Sequence, residues 1–234
     1  MKKMFFADLA SIQGVLWKQV LLAIVVGLFV PLMVGNLAMV IPIIGVIIPL
    51  YVIFSLITYD SQSGWEGYRL SLPLSRNQSV FGRYLLIFVI AIASVLIGLI
   101  IQGALVLSVP LLSMLPLGSP YFDSLAELDA YILIFLSLTP LIIVLIMAGI
   151  MFPFAYRLGM TTAVRWIPIA FMLIVFGLGA VIELTNTNVV IDFITWVIIP
   201  ENSALAAAIS LGICGVIYLG SAALSAKLYH AREL

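Results

Sequence analysis

Few side chains in this sequence can move protons, attack a carbonyl or hold a metal. Its one histidine, His230, stands four residues from the last, and its one cysteine, Cys214, lies in an apolar stretch. Acid–base and nucleophilic catalysis need a positioned base beside the reacting group. Ser221, in Leu219-Gly220-Ser221-Ala222, has no histidine in another apolar stretch to serve it. No His, Cys and carboxylate residues gather at metal-ligand spacing, and no Gly-x-x-x-x-Gly-Lys-Ser/Thr loop is present to grip a nucleotide phosphate. These absences argue against an enzyme, and against this chain being itself an ATPase. Cys214 has no partner for an intramolecular disulfide and reads as a packing residue.

The most informative grouping of polar and aromatic residues is the segment from Tyr59 to Arg83, YDSQSGWEGYRLSLPLSRNQSVFGR. Trp65, Tyr68 and Leu72 follow i, i+3, i+7 spacing and predict a short amphipathic helix that ends before Pro73. Ser75 then opens a Ser-x-x-Gln capping box with Gln78, so a new helix starts there. The product is a small helix and a sharp break, presenting aromatic and basic groups suited to a protein partner. A lipid-facing amphipathic loop is the alternative.

The elements that must hold this segment are membrane spans. The chain is 65% hydrophobic and 9% charged, far from the ~45–50% and ~25% of soluble domains. Uncharged runs cover 19–59, 84–122, 130–156, 166–182 and 202–226, and a helical span needs roughly 20 mostly apolar residues. Six spans fit, at about 19–36, 38–58, 84–108, 131–152, 166–184 and 203–225. The expected fold is an all-α membrane protein, a single transmembrane domain over 1–234, with no connection long enough for a soluble domain. Gly35-Asn36 predicts the tight outer turn between spans one and two. Pro31, Pro42 and Pro49 each remove a backbone donor that lipid cannot replace.

Basic residues orient the spans. With the N-terminus inside, the cytoplasmic pieces carry Lys2, Lys3, Lys18, Arg69, Arg76, Arg83, Arg157, Arg165, Lys227 and Arg232, and the outer loops carry none. Both termini are then cytoplasmic. Asp8, Asp60, Glu66 and Glu233 also fall inside, while Asp123, Glu127, Asp129, Glu183, Asp192 and Glu201 fall outside. Splitting 84–122 into two spans, or letting 189–199 cross, would expel basic residues and is rejected. The stretch 189–199 reads instead as an outer re-entrant or interfacial helix. From Met4 to Lys18, Phe5, Leu9, Ile12 and Leu16 recur at helical spacing, with Asp8, Ser11 and Lys18 assigned to another face. This predicts an interfacial helix leading into the first span. No ionisable residue lies at a span centre, so a proton relay has no visible parts. Ser94, Gln102, Ser137 and Thr139 are expected to hydrogen-bond between helices.

Asp60, then Trp65-Glu66-Gly67-Tyr68 and Ser71-Leu72-Pro73-Leu74-Ser75-Arg76, with Arg83-Tyr84-Leu85 opening the next span, resembles the membrane (permease) subunits of bacterial type-2 ATP-binding-cassette (ABC) exporters. Pro153-Phe154-Ala155-Tyr156-Arg157-Leu158-Gly159, followed by Ala163-Val164-Arg165, is similar to their short basic inner loop. The resemblance implies an N-terminal elbow helix, a coupling helix after span two and outer helices between spans five and six. It also implies that Trp65, Glu66, Tyr68, Arg69, Leu72, Pro73, Ser75 and Arg76 dock on a separate ATPase, with Arg157 and Arg165 as a second cytoplasmic contact. By the same resemblance the chain sits in a bacterial plasma membrane and pairs with a second permease, identical or related. Two ATPase subunits carry ATP and magnesium, this chain binds no cofactor, and its surroundings are membrane lipid, with no nucleic acid. The cargo expected of a pathway without deep charges is amphipathic or hydrophobic: a peptide, lipid or drug. An ATP-independent channel or carrier and a membrane assembly or regulatory factor are the competing functions.

Overall fold

A computed structural model of the chain describes residues 2–62, 75–112, 130–158, 169, 177, 180 and 200–230. They form helices α1 (Lys2–Val34), α2 (Val40–Gln62), α3 (Arg76–Leu112), α4 (Ala130–Leu158) and α5 (Pro200–His230), with one 3-10 turn, Leu37–Met39, before α2. All five are long and apolar enough to cross a membrane. The expected span 166–184 lies outside the described residues except for Ile169, Gly177 and Ala180, which are helical. The helix expected around Trp65 to Leu72 and the outer helix at 189–199 also lie outside them.

Local chemistry sets the helix ends. Gly35, at φ 75°, takes the left-handed conformation that closes α1. Asn36 then caps the 3-10 turn, its Oδ1 accepting from the Ala38 N–H at 3.1 Å. At the start of α3 the capping box forms as its sequence predicts. Gln78 N donates to Ser75 Oγ at 3.2 Å, and Ser75 N donates to Gln78 Oε1 at 3.4 Å. Pro42 falls in the first turn of α2, where its missing N–H costs nothing. Pro31, Pro49, Pro140 and Pro153 lie inside helices.

The predicted separate elbow is not set off by a break. Residues Lys2–Val34 make one continuous helix, about 50 Å long at 1.5 Å per residue. The hydrocarbon core is only about 30 Å thick. Roughly its first dozen residues therefore extend beyond that core as a prolongation of the span. Nothing in the sequence from Met4 to Lys18 stops a helix, apart from Gly14, whose cost of about 1 kcal/mol is easily borne.

In the bundle α2 packs along α3, α4 along α5 and α1 against α2, while α3 touches all four others. The core joins Ile44, Ile48, Val52 and Leu56 of α2 to Leu86, Ile87 and Ala91 of α3 and Val144, Met151 and Phe152 of α4. Small residues bring the backbones close. A Cβ on Gly98 would stand 3.1 Å from Ile41 Cα, and one on Gly45 would stand 2.8 Å from Pro140 Cβ. Close approach through glycine is a common basis of helix association in lipid, where there is no hydrophobic drive between helices.

Candidate functional site

Arg83, two turns into α3, is fully buried, at 0% exposure. Its guanidinium lies between two carboxylates from two other helices. Nη1 and Nη2 donate to Asp60, near the end of α2, at 2.6 and 3.3 Å. Nε and Nη2 donate to Asp8 of α1, both at 3.3 Å. Arginine's planar fork suits this double bidentate grip in a way lysine's point charge does not. Taking such charges out of water costs several kcal/mol per ion, which is recovered only when geometry and hydrogen bonding are good. The arrangement is therefore a registry device: it fixes three helices relative to one another at one end of the bundle.

Its place in the chain gives that registry meaning. Asp60 and Arg83 stand on either side of the segment that carries Trp65 to Arg76. The ion pair thus clasps the two roots of that segment together, and Asp8 adds α1 to the clasp.

The next residue, Tyr84, serves the other half of the bundle. Successive helical residues point about 100° apart, so Arg83 faces α1 and α2 while Tyr84 faces α4 and α5. The Tyr84 hydroxyl pairs with Ser221 Oγ and Ser225 Oγ, each at 2.8 Å, one turn apart on α5. Tyr218 Oη donates to the Tyr84 carbonyl at 2.8 Å, and Ser221 Oγ donates to the Gly149 carbonyl of α4. Ser221 is thus a link between helices.

Arg76, at the start of α3, turns onto α5. Its Nη1 donates to the Tyr229 carbonyl at 3.1 Å, and its guanidinium carbon lies 5.7 Å from the Tyr229 ring centroid. From there aromatic rings run in contact: Tyr229 to Tyr156 at 5.1 Å, Tyr156 to Phe152 at 6.5 Å, Phe152 to Tyr84 at 5.1 Å and Tyr84 to Tyr218 at 4.9 Å. The end of the segment is therefore anchored to α4 and α5 as well.

A family model described as ABC-2 family transporter protein matches residues 3–230. The chain belongs to the ABC-2 transporter family. No curated protein and no solved structure matches it. This ABC-2 chain is a multi-pass transmembrane permease subunit, and such a subunit works with an ATPase partner.

Of the sequence-predicted site residues of the permease, Ser75 and Arg76 are described, and both hold the start of α3. Arg157 lies exposed in the last turn of α4. Trp65, Glu66, Tyr68, Arg69, Leu72, Pro73 and Arg165 lie outside the described residues. Sequence reasoning missed the carboxylates of the clasp. Asp8 had been assigned to a polar face, yet it stands three residues after Phe5 and four before Ile12. That places it on the apolar stripe itself, between two residues that pack on the core. A charge on a buried stripe, at the same end as Asp60 and Arg83, was the available signal. Two other expectations change. Ser137 and Thr139 bond carbonyls four residues back in their own helix, Leu133 and Phe135, the usual resort of short hydroxyls in lipid. Ser94 does bridge helices, donating to the Gly45 carbonyl at 3.2 Å as well as to Ala91 of its own helix.

Proposed function

We propose that this permease is the membrane subunit of a bacterial exporter that moves an amphipathic or hydrophobic cargo across the plasma membrane, driven by separate ATPase subunits. The whole chain acts as one transmembrane domain of six spans, with both termini in the cytoplasm. It pairs with a second copy or a homologue. ATP and magnesium sit on the ATPase, and the Trp65 to Arg76 segment is the foot that enters a groove on it, with Arg157 and Arg165 as a second contact.

The observation that carries this reading is the buried clasp at the roots of that segment. A foot that receives a push must be rigidly joined to what it moves, and Asp60–Arg83–Asp8 joins it to α1, α2 and α3. Arg76 and the aromatic chain join it to α4 and α5. Closure of the ATPase on ATP would then shift the inner ends of α1, α2 and α3 as one body and bias the paired spans between inward- and outward-open populations.

The test is replacement of Trp65 and Tyr68 by Ala in the complex with its ATPase. ATP hydrolysis is followed together with uptake of fluorescent amphiphiles into inverted vesicles. The double variant is expected to fold and to hydrolyse ATP without transport; coupling equal to that of the parent protein would remove the docking assignment.

A further inference from the structure

Three helix prolines share one spacing. Pro31, Pro49 and Pro153 each follow a glycine by four residues, in Gly27-Leu28-Phe29-Val30-Pro31, Gly45-Val46-Ile47-Ile48-Pro49 and Gly149-Ile150-Met151-Phe152-Pro153. In an α-helix the N–H of residue i donates to the carbonyl of residue i−4. Proline has no N–H, and its ring crowds that same carbonyl. The carbonyls of Gly27, Gly45 and Gly149 therefore lose their regular helical donor in spans where lipid offers no replacement. Two of them are taken up by a serine of another helix. Ser94 of α3, 1% exposed, donates to the Gly45 carbonyl at 3.2 Å, and Ser221 of α5 donates to the Gly149 carbonyl. Glycine lets the second serine in, since Ser221 Cβ stands 3.7 Å from the place of a Cβ on Gly149. At Gly27 the neighbour is the Ile44 side chain, which has nothing to donate.

Both serines also have a second partner, although a hydroxyl has only one hydrogen to give. Ser94 Oγ lies 2.8 Å from the Ala91 carbonyl of its own helix, and Ser221 Oγ lies 2.8 Å from the Tyr84 hydroxyl. Either serine can leave the glycine carbonyl without becoming a buried donor that has no acceptor, which is the costly condition. A helix bends most readily at a proline, where its ladder lacks a bond. Here the missing bond is replaced from the next helix, by a donor that can let go.

We propose that Gly45–Pro49 and Gly149–Pro153 are hinges in α2 and α4, that Ser94 and Ser221 are the positioning residues that latch them, and that the hinges bend during transport as each serine turns to its second partner. Only the last clause rests on the exporter reading. The two latches lie at different levels of the bundle. Ser221 meets Tyr84, beside the clasp, whereas Ser94 stands ten residues further along α3, a rise of about 15 Å. One hinge thus serves each end, as alternate opening of the two ends requires.

The latch is tested on the purified permease without its ATPase, so that the result does not depend on the exporter reading. Ser94→Ala is expected to lower the thermal midpoint in detergent by about 3 °C, the loss of one buried hydrogen bond in a chain of this size. Pro49→Ala returns an N–H to position 49 and gives the Gly45 carbonyl its helical donor. In that background Ser94→Ala should lower the midpoint by less than about 1 °C. Pro31→Ala, the control, should leave the Ser94→Ala loss at its full size. Should Pro49→Ala fail to run as a single species in gel filtration, Ser221→Ala and Pro153→Ala form the same cycle in α4. The hinge is read by pulsed electron paramagnetic resonance between spin labels at Met39 and Leu107, both exposed, in a Cys214→Ser background. The distance distribution should broaden in Ser94→Ala and narrow in Pro49→Ala. With the ATPase present, Pro49→Ala should transport less per ATP hydrolysed than the parent. Equal midpoint losses from Ser94→Ala with and without Pro49 would overturn the latch, a distribution that Pro49→Ala leaves unchanged would overturn the hinge, and undiminished transport would overturn its use.

Discussion

The two ends of α3 hold their neighbours by different means. Near its start, Arg83 and Tyr84 reach three other helices, α1, α2 and α5, through charged and hydroxyl hydrogen bonds. Towards its other end, Gly98 meets the α2 backbone directly, and Gln102 is 1% exposed with neither amide atom hydrogen-bonded among the described residues. Polar bonds fix direction as well as distance, so the helices at the clasp end are held against slipping. Close contact through glycine fixes distance alone and allows the helices to slide. The permease thus has one end of its bundle fixed by polar bonds and the other held by shape.

Removing the guanidinium should have the largest effect. Arg83→Leu leaves two carboxylates buried without their cation and is expected to lower stability by about 3–5 kcal/mol, read as thermal unfolding in detergent. Adding Asp8→Asn and Asp60→Asn should restore much of it. A loss from Arg83→Leu no larger than that of an exposed substitution would remove the clasp as a structural device.

Shape should matter less but clearly. Gly98→Val pushes a side chain against the Ile41 backbone and is expected to cost about 1–3 kcal/mol, with the inner hydrogen bonds intact. The smallest effect should carry the opposite sign. Gln102→Leu replaces an amide that has no hydrogen bond with an apolar group of similar size and is expected to raise stability by about 1 kcal/mol. A destabilised Gln102→Leu would show that the outer half also relies on a polar lock.

Periodicity and local caps are short-range, and those parts of the fold were legible. The Ser75–Gln78 box, the Gly35-Asn36 turn and the long apolar helices all depend on residues within a few positions of one another. The clasp was not legible, because Asp8, Asp60 and Arg83 meet only when three helices do. Counting each as a cytoplasmic charge addressed orientation alone and gave no hint of burial. The elbow was misread for a related reason: amphipathicity says which face packs, whereas a break needs a helix-stopping residue, and none is present between Met4 and Lys18. Gln102 was expected to bond across helices on the general rule for amides in spans, and its immediate neighbours in the sequence say nothing about what lies opposite it.

The most direct test of the clasp follows distance rather than cargo. In a Cys214→Ser background, spin labels at Phe6 on α1 and Leu85 on α3, both exposed side chains, report separation by pulsed electron paramagnetic resonance in the complex with its ATPase. The separation should be the same without nucleotide and with ATP trapped, because Asp8 and Arg83 hold the two helices as one body, and it should change on trapping once Asp8→Asn is introduced. A parent protein whose label distance shifts with ATP as much as that of the variant would contradict the account.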